Sequence, residues 1–186
     1  MNSHLHRLLL AASLVIATSA VALAASPQVF ELPEHGALTL LVPEGWVGEM
    51  KQGGGHLAPT ITMGPRSGAK FVMTMTAVWP TAPAHQMPDE NAIRSEVAAA
   101  AKSVEAQSVE GVLSIQEIKG VDGRGFYFTA TDRAPKPGEA KYLTQGIIRV
   151  GDIPLAFTVL TNDGQEAVVR AALEMLRTAV HGQNGH

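Results

Sequence analysis

Four runs of strand-forming residues follow one another between positions 112 and 161 with no gap wide enough for a helix, and this order limits the fold more than any other feature of the chain. The runs cover 112–118, 124–132, 140–150 and 153–161. Asp122-Gly123 and Gly151-Asp152 are dipeptides that close tight hairpins, and Pro135-Lys136-Pro137-Gly138 forms the centre of a longer turn. A parallel pair would need a crossover of about a dozen residues or more. Neighbours in this block are therefore predicted to be antiparallel, giving a four-stranded meander.

Upstream, residues 28–32 read as an extended entry, and 37–42, rich in Leu, Thr and Val, run into the turn Pro43-Glu44-Gly45 with Trp46 packed beneath it. Residues 48–57 contain Gly53-Gly54-Gly55 and little apolar material, which predicts a mobile loop. Segments 60–63 and 70–79 read as an antiparallel pair joined through Gly64-Pro65-Arg66-Ser67-Gly68. In the second segment Phe71, Met73, Met75 and Ala77 alternate with Val72, Thr74, Thr76 and Val78. Both sets are apolar or Thr, as in a strand covered on both sides, so helices are expected above and below the sheet. Pro80, Pro83 and Pro88 forbid continuation of that strand. Asp89 is the predicted N-cap of a helix whose stripe is Ile93, Val97, Ala100, Ala101 and Val104 and which ends near Gln107. Asp163 with Glu166 forms a capping-box-like start to a second helix with the stripe Val168, Ala172, Met175, Leu176 and Ala179, and 181–186 are expected to fray. The predicted fold is α+β: an antiparallel sheet of about six strands, including the C-terminal meander, with two long helices packed on it.

The amino end bears on compartment. His4, His6 and Arg7 precede an uncharged apolar stretch over 8–22 that closes on Ala22-Leu23-Ala24, the layout of a cleaved secretory signal peptide with the cut after Ala24, within about two residues. An uncleaved anchor is the alternative, but the stretch sits at the short limit for a spanning helix and Ser13, Thr18 and Ser19 dilute it. Taking 24 of the 186 residues away leaves 162, enough for one domain, expected over 25–180. The sequence has no cysteine, which excludes a lipid-modified cysteine, a disulfide, a thiol nucleophile and a thiolate metal site. The signal holds one of the 14 basic residues and none of the 17 acidic ones, so the mature charge is 13 minus 17, or minus 4 with histidine neutral. No run of Lys or Arg forms a patch for nucleic acid. These features predict a periplasmic or secreted protein without stable membrane insertion after cleavage.

Three local stretches carry a family resemblance: Leu38-Thr39-Leu40-Leu41-Val42-Pro43-Glu44-Gly45-Trp46, the aromatic strand Phe126-Tyr127-Phe128, and Leu173-Glu174-Met175-Leu176. With the order of strand block, helix, meander and terminal helix over residues 30 to 180, the chain resembles the PsbP extrinsic proteins of photosystem II and the bacterial DcrB proteins. That resemblance implies a noncatalytic accessory or binding role. DcrB proteins are typically lipoproteins, and this chain lacks the cysteine for that.

Chemistry-bearing motifs are sparse. No G-x-S-x-G elbow, P-loop, dinucleotide fingerprint, H-E-x-x-H or EF-hand loop occurs, and Ser67 in Arg66-Ser67-Gly68 reads as turn chemistry, so no catalytic residue and no cofactor is implied. Of the histidines left after cleavage, His35, His56 and His85 are the weak metal candidates, although none is spaced as a pair on one helix or strand and exposed loop positions explain all three. Met73 and Met75 alternate on one strand face, where thioether ligation of copper competes with plain core packing. Tyr127, Thr129 and Thr131, with Tyr142, Thr144 and Gly146 alongside, could cup a small polar ligand or sit beneath a helix. Trp46 and His56, flanking the glycine loop, form a possible docking surface. The expectation is a noncatalytic periplasmic accessory factor with a protein partner in the cell envelope. A small-ligand or metal carrier is the alternative, and an enzyme ranks last.

Overall fold

The computed structural model describes residues 24–53, 58–78 and 87–182. The 8–22 stretch read as a signal lies outside them. In chain order the elements are β1 (Ala25–Glu31), β2 (Ala37–Pro43), β3 (Trp46–Lys51), β4 (Thr60–Pro65), β5 (Val72–Ala77), α1 (Glu90–Val104) with a closing 3-10 turn (Glu105–Gln107), β6 (Gln116–Gly120), β7 (Gly123–Thr131), β8 (Tyr142–Val150), β9 (Ile153–Thr161), α2 (Glu166–Arg177) and β10 (Val180–Gly182). Among the described residues no helix is long and apolar enough to cross a membrane.

The fold is α+β, and its strands divide into two sheets. Seven strands form one antiparallel sheet in the order β3-β4-β5-β9-β8-β7-β6, and three form a small one in the order β1-β2-β10. The expectation of one sheet of about six strands is corrected in both count and grouping. The meander β6 to β9 is present, its first strand at Gln116–Gly120 rather than the expected 112–118, and β9 reaches back across the chain to pair with β5, Val72 opposite Leu160. The two helices lie on opposite faces. On the inner face, α2 (Ala172, Leu173, Met175, Leu176), the small sheet (Phe30, Leu38, Leu40, Val42) and Leu32 just after β1 share one core with Met63, Met73, Met75, Leu155 and Phe157 of the large sheet. On the outer face, α1 presses Ile93, Val97 and Ala101 onto Phe126, Phe128 and Ala130 of β7.

Local chemistry explains most of the boundaries. Asp89 caps α1 as predicted, its carboxylate accepting from the Ala92 amide at 2.7 Å. The Pro43-Glu44-Gly45 turn closes with Gly45 at a φ of 82°, a conformation that a side chain would strain. Three expectations are corrected. Residues 48–51, expected to open a loop, belong to β3 (Trp46–Lys51), in which Trp46, Gly48 and Met50 face inward while Val47, Glu49 and Lys51 face out. Of the glycine loop, residues 54–57 lie outside the described residues. Asp163 does not cap α2: Gln165 stands at the N-cap, its amide nitrogen donating to the Lys70 carbonyl at 3.1 Å and its oxygen accepting from the Asn162 amide at 2.8 Å. Finally, of the tail expected to fray from His181, His181 and Gly182 pair with β2 instead, and 183–186 lie outside the described residues.

The connection after α1 is held to the end of β7 by backbone bonds, among them the Val109 amide to the Thr131 carbonyl at 2.9 Å, and by one carboxylate. Glu110 accepts from the Thr131 hydroxyl at 2.6 Å and from the Thr131 amide at 3.0 Å. Partial burial pushes its carboxyl up, but these Thr131 hydrogen bonds prevail and hold it below the usual carboxylate range. Such a group stabilises the fold above its ordinary pKa and loses that contribution as pH falls through the lowered value. Glu110→Gln is therefore expected to cost about 1 kcal/mol at neutral pH, the exposed setting discounting a charged hydrogen bond. In urea melts the gap between wild type and variant should close in acid; a gap that stays constant would remove this role.

Candidate functional site

The threonine and tyrosine face predicted on β7 and β8 points inward, and at one end of the sheet it opens into a pocket. Register places Thr129 opposite Thr144 and Tyr142 opposite both Thr131 and Thr161. Residues Thr129, Tyr142, Thr144 and Thr161 line a cavity of about 330 Å³ closed on its far side by Glu166, Val169 and Arg170 of α2. Thr144 is only 1% exposed and Thr161 3%. The hydroxyls of Thr129 and Thr144 are 3.3 Å apart, whereas that of Thr161 has no hydrogen-bond partner among the described residues. At the rim the Tyr142 hydroxyl donates to Asp163 at 2.6 Å and Lys141 pairs with the same carboxylate at 2.8 Å. The hydrogen bond from Lys141, with a second from Tyr142, holds the Asp163 carboxyl below its ordinary range, and the bond to Asp163 raises the Lys141 ammonium above its own.

Tyr127 shares the face but not the pocket. It pairs with Gly146, is buried in the inner core and donates to the Gln116 side chain at 2.9 Å. Trp46 is likewise buried, its ring centroid 4.5 Å from that of Phe71 beneath the turn that precedes it. Met73 and Met75 are fully buried in the same core. Ser67 stands exposed in the bend between β4 and β5. His35 is half-buried, and its carbonyl lies 2.6 Å from the Nε2 of His181, so β10 brings together two histidines that the sequence keeps far apart. His56 and His85 lie outside the described residues.

Sequence reasoning named Tyr142, Thr129 and Thr144 but missed Thr161, Glu166 and Arg170. By pattern alone Thr161 is a strand end and Glu166 part of a capping box. A usable signal existed: Glu166 and Arg170 are four residues apart with Val169 beside them, which puts them on one face of any helix there.

Among the described residues, the outer face of the large sheet is only half covered. Helix α1 sits on β7 and β8, so β3, β4, β5 and β9 present Val47, Val72 and a set of threonines outward, with Val47 44% and Val72 42% exposed. Across the strands Glu49, Thr62, Thr74, Thr158 and Gln145 fall in one row. In the next row the hydroxyls of Thr60 and Thr76 are 3.0 Å apart. Where this open surface meets α1, Glu96 and Val97 overhang Thr74, Thr158 and Gln145 around a cleft of about 190 Å³.

The arrangement of a seven-stranded antiparallel sheet with helices on opposite faces and a small terminal sheet matches the solution structure of cyanobacterial PsbP (CyanoP) from Synechocystis sp. PCC 6803, with a TM-score of 0.51 over 90% of this chain and 99% of that one, at 10% identity. The chain has a PsbP-like fold. A crystal structure of a protein from Bacteroides thetaiotaomicron VPI-5482 at 1.50 Å resolution is similar at a TM-score of 0.49 and 14% identity; 80% of this chain covers 46% of that one, so this chain spans less than half its length. No family model and no curated protein matches the sequence. At these identities the PsbP likeness concerns the backbone. It leaves the Tyr142 pocket and the threonine rows as features to be judged on their own chemistry.

Proposed function

We propose that this PsbP-like chain is an exported, noncatalytic accessory factor of the periplasm that acts by binding a protein partner at the cell envelope, with the open half of the outer sheet face as the seat. The observation that carries this reading is the exposure of Val47 and Val72 among Thr60, Thr62, Thr74, Thr76 and Thr158. Contiguous β-branched side chains that no helix covers among the described residues are a form of surface that association buries. Its centre is neutral, with Glu49 and Lys51 at the β3 edge, so the fitting partner offers an uncharged apolar or hydroxylated face with charges at its margin.

The test compares wild type with the double variant Val47→Glu, Val72→Glu in crosslinked pulldown from native envelope extract. Both positions are on the surface, so the variant should keep the wild-type melting temperature within a few degrees or so. A band recovered by wild type and lost with the variant supports the reading; failure to recover any band with folded wild type, or equal recovery by both, defeats it. Export has its own check: mass spectrometry of protein from native cells should find the chain starting at or near Ala25, and an intact Met1 on a cytosolic species would overturn the compartment. A second reading, a small-ligand carrier, is favoured by the Tyr142 pocket.

A further inference from the structure

Beyond partner docking, we propose that the inner-face pocket between the ends of β7 to β9 and α2 is a binding site for a small zwitterion, an α-amino acid whose carboxylate meets Arg170 and whose ammonium meets Glu166. Three observations converge on it. The first is Thr161: a side chain 3% exposed, lining the cavity, whose hydroxyl has no hydrogen-bond partner among the described residues. No buried side-chain nitrogen or oxygen among the described residues lacks a partner, so this hydroxyl opens onto the cavity and takes its hydrogen bond from whatever fills it, water or ligand.

The second is the charge arrangement. Lys141 and Asp163 at the rim neutralise each other at 2.8 Å. Glu166 and Arg170, both lining the cavity, have no ion-pair partner among the described residues. A Glu one turn N-terminal to a cation is well placed to pair with it. Here both are exposed on α2 and no ion pair joins them, and a molecule carrying both charges at the mouth of the cavity would bridge them. Neither a simple anion nor a sugar complements both.

The third is size. A cavity of about 330 Å³ lies at the small end of ligand pockets, which run from about 300 to 1,000 Å³. That admits an amino acid and leaves no room for a dinucleotide. Val169 and the half-buried ring of Tyr142 supply an apolar wall for a short side chain. The site lies on the opposite face of the sheet from Val47 and Val72, so it stands or falls separately from partner docking.

Isothermal titration of the mature chain with each standard L-amino acid tests the proposal, with the N-acetyl amide of each as its uncharged twin and glucose as a hydroxyl-only control. At least one free amino acid should bind, and its N-acetyl amide should bind at least about tenfold more weakly, as should the free acid to Arg170→Gln and to Glu166→Gln. Thr161→Val should weaken binding while leaving the unliganded melting temperature unchanged or raised, a result that a merely structural hydroxyl would not give. The Val47→Glu, Val72→Glu variant should bind as wild type does. Absence of binding by every free amino acid, glucose binding as tightly as the best of them, or full affinity in both charge variants would overturn the assignment.

Discussion

Replacing Phe128 with alanine is expected to lower the unfolding free energy by about 3–5 kcal/mol. Phe128 is fully buried on the outer face of β7, under α1. The cluster it belongs to has seven buried members, against 25 on the inner face, so a vacancy there has few neighbours able to move in. The helix depends on that cluster. Damage should therefore concentrate in α1: hydrogen exchange should show its amides opening at lower free energy than those of β8 and β9. Phe128→Leu, which keeps most of the apolar volume, should recover more than half of the loss in urea melts. Alanine and leucine variants that both melt like the wild type would show that α1 is held by something other than this ring.

The second large effect falls on a residue with no side chain. A Cβ at Gly146 would sit 2.2 Å from the Phe126 carbonyl oxygen and 2.6 Å from the Tyr127 Cβ. Both obstacles belong to the neighbouring strand, and β8 is paired on its other edge with β9, so it cannot step aside. One strand over, a Cβ at Gly125 would meet the Ile147 carbonyl oxygen at 2.2 Å, showing that β7 and β8 approach closely along their length. Gly146→Ala should cost about 3 kcal/mol by overpacking. Chemical denaturation measures it, and a loss under about 1 kcal/mol would mean that the strands can part more easily than their pairing suggests.

The meander was readable because its information is local. Asp122-Gly123 and Gly151-Asp152 fix two hairpins by backbone conformation alone, and the predicted run 153–161 coincides with β9. The stripe Ile93, Val97, Ala101 was equally visible, since 3.6-residue periodicity needs no knowledge of a partner. What failed depended on distant residues. Strand β3 hid behind Gly48 and its proximity to the glycine loop, and only pairing with β4 reveals its alternation. Asp163 looked like a cap because Glu166 follows three residues on; Lys141 and Tyr142, remote in sequence, claim it instead. Tyr127 and Tyr142 were rightly put on one face, yet period-2 reasoning carries no distance along the strand, and the chain buries one while opening a pocket beside the other. The division into two sheets was equally out of reach, because nothing in residues 25–43 announces that their mate is 180–182.

That mate carries a consequence for biogenesis. Strand β2 holds the chain's opening strand along one edge and its closing strand along the other, so the inner core has its lid fastened from both directions. Long-range closure of this kind comes late in folding. If the chain leaves the cytoplasm amino end first, as proposed above, the second edge of β2 stays open until residues 180–182 have emerged.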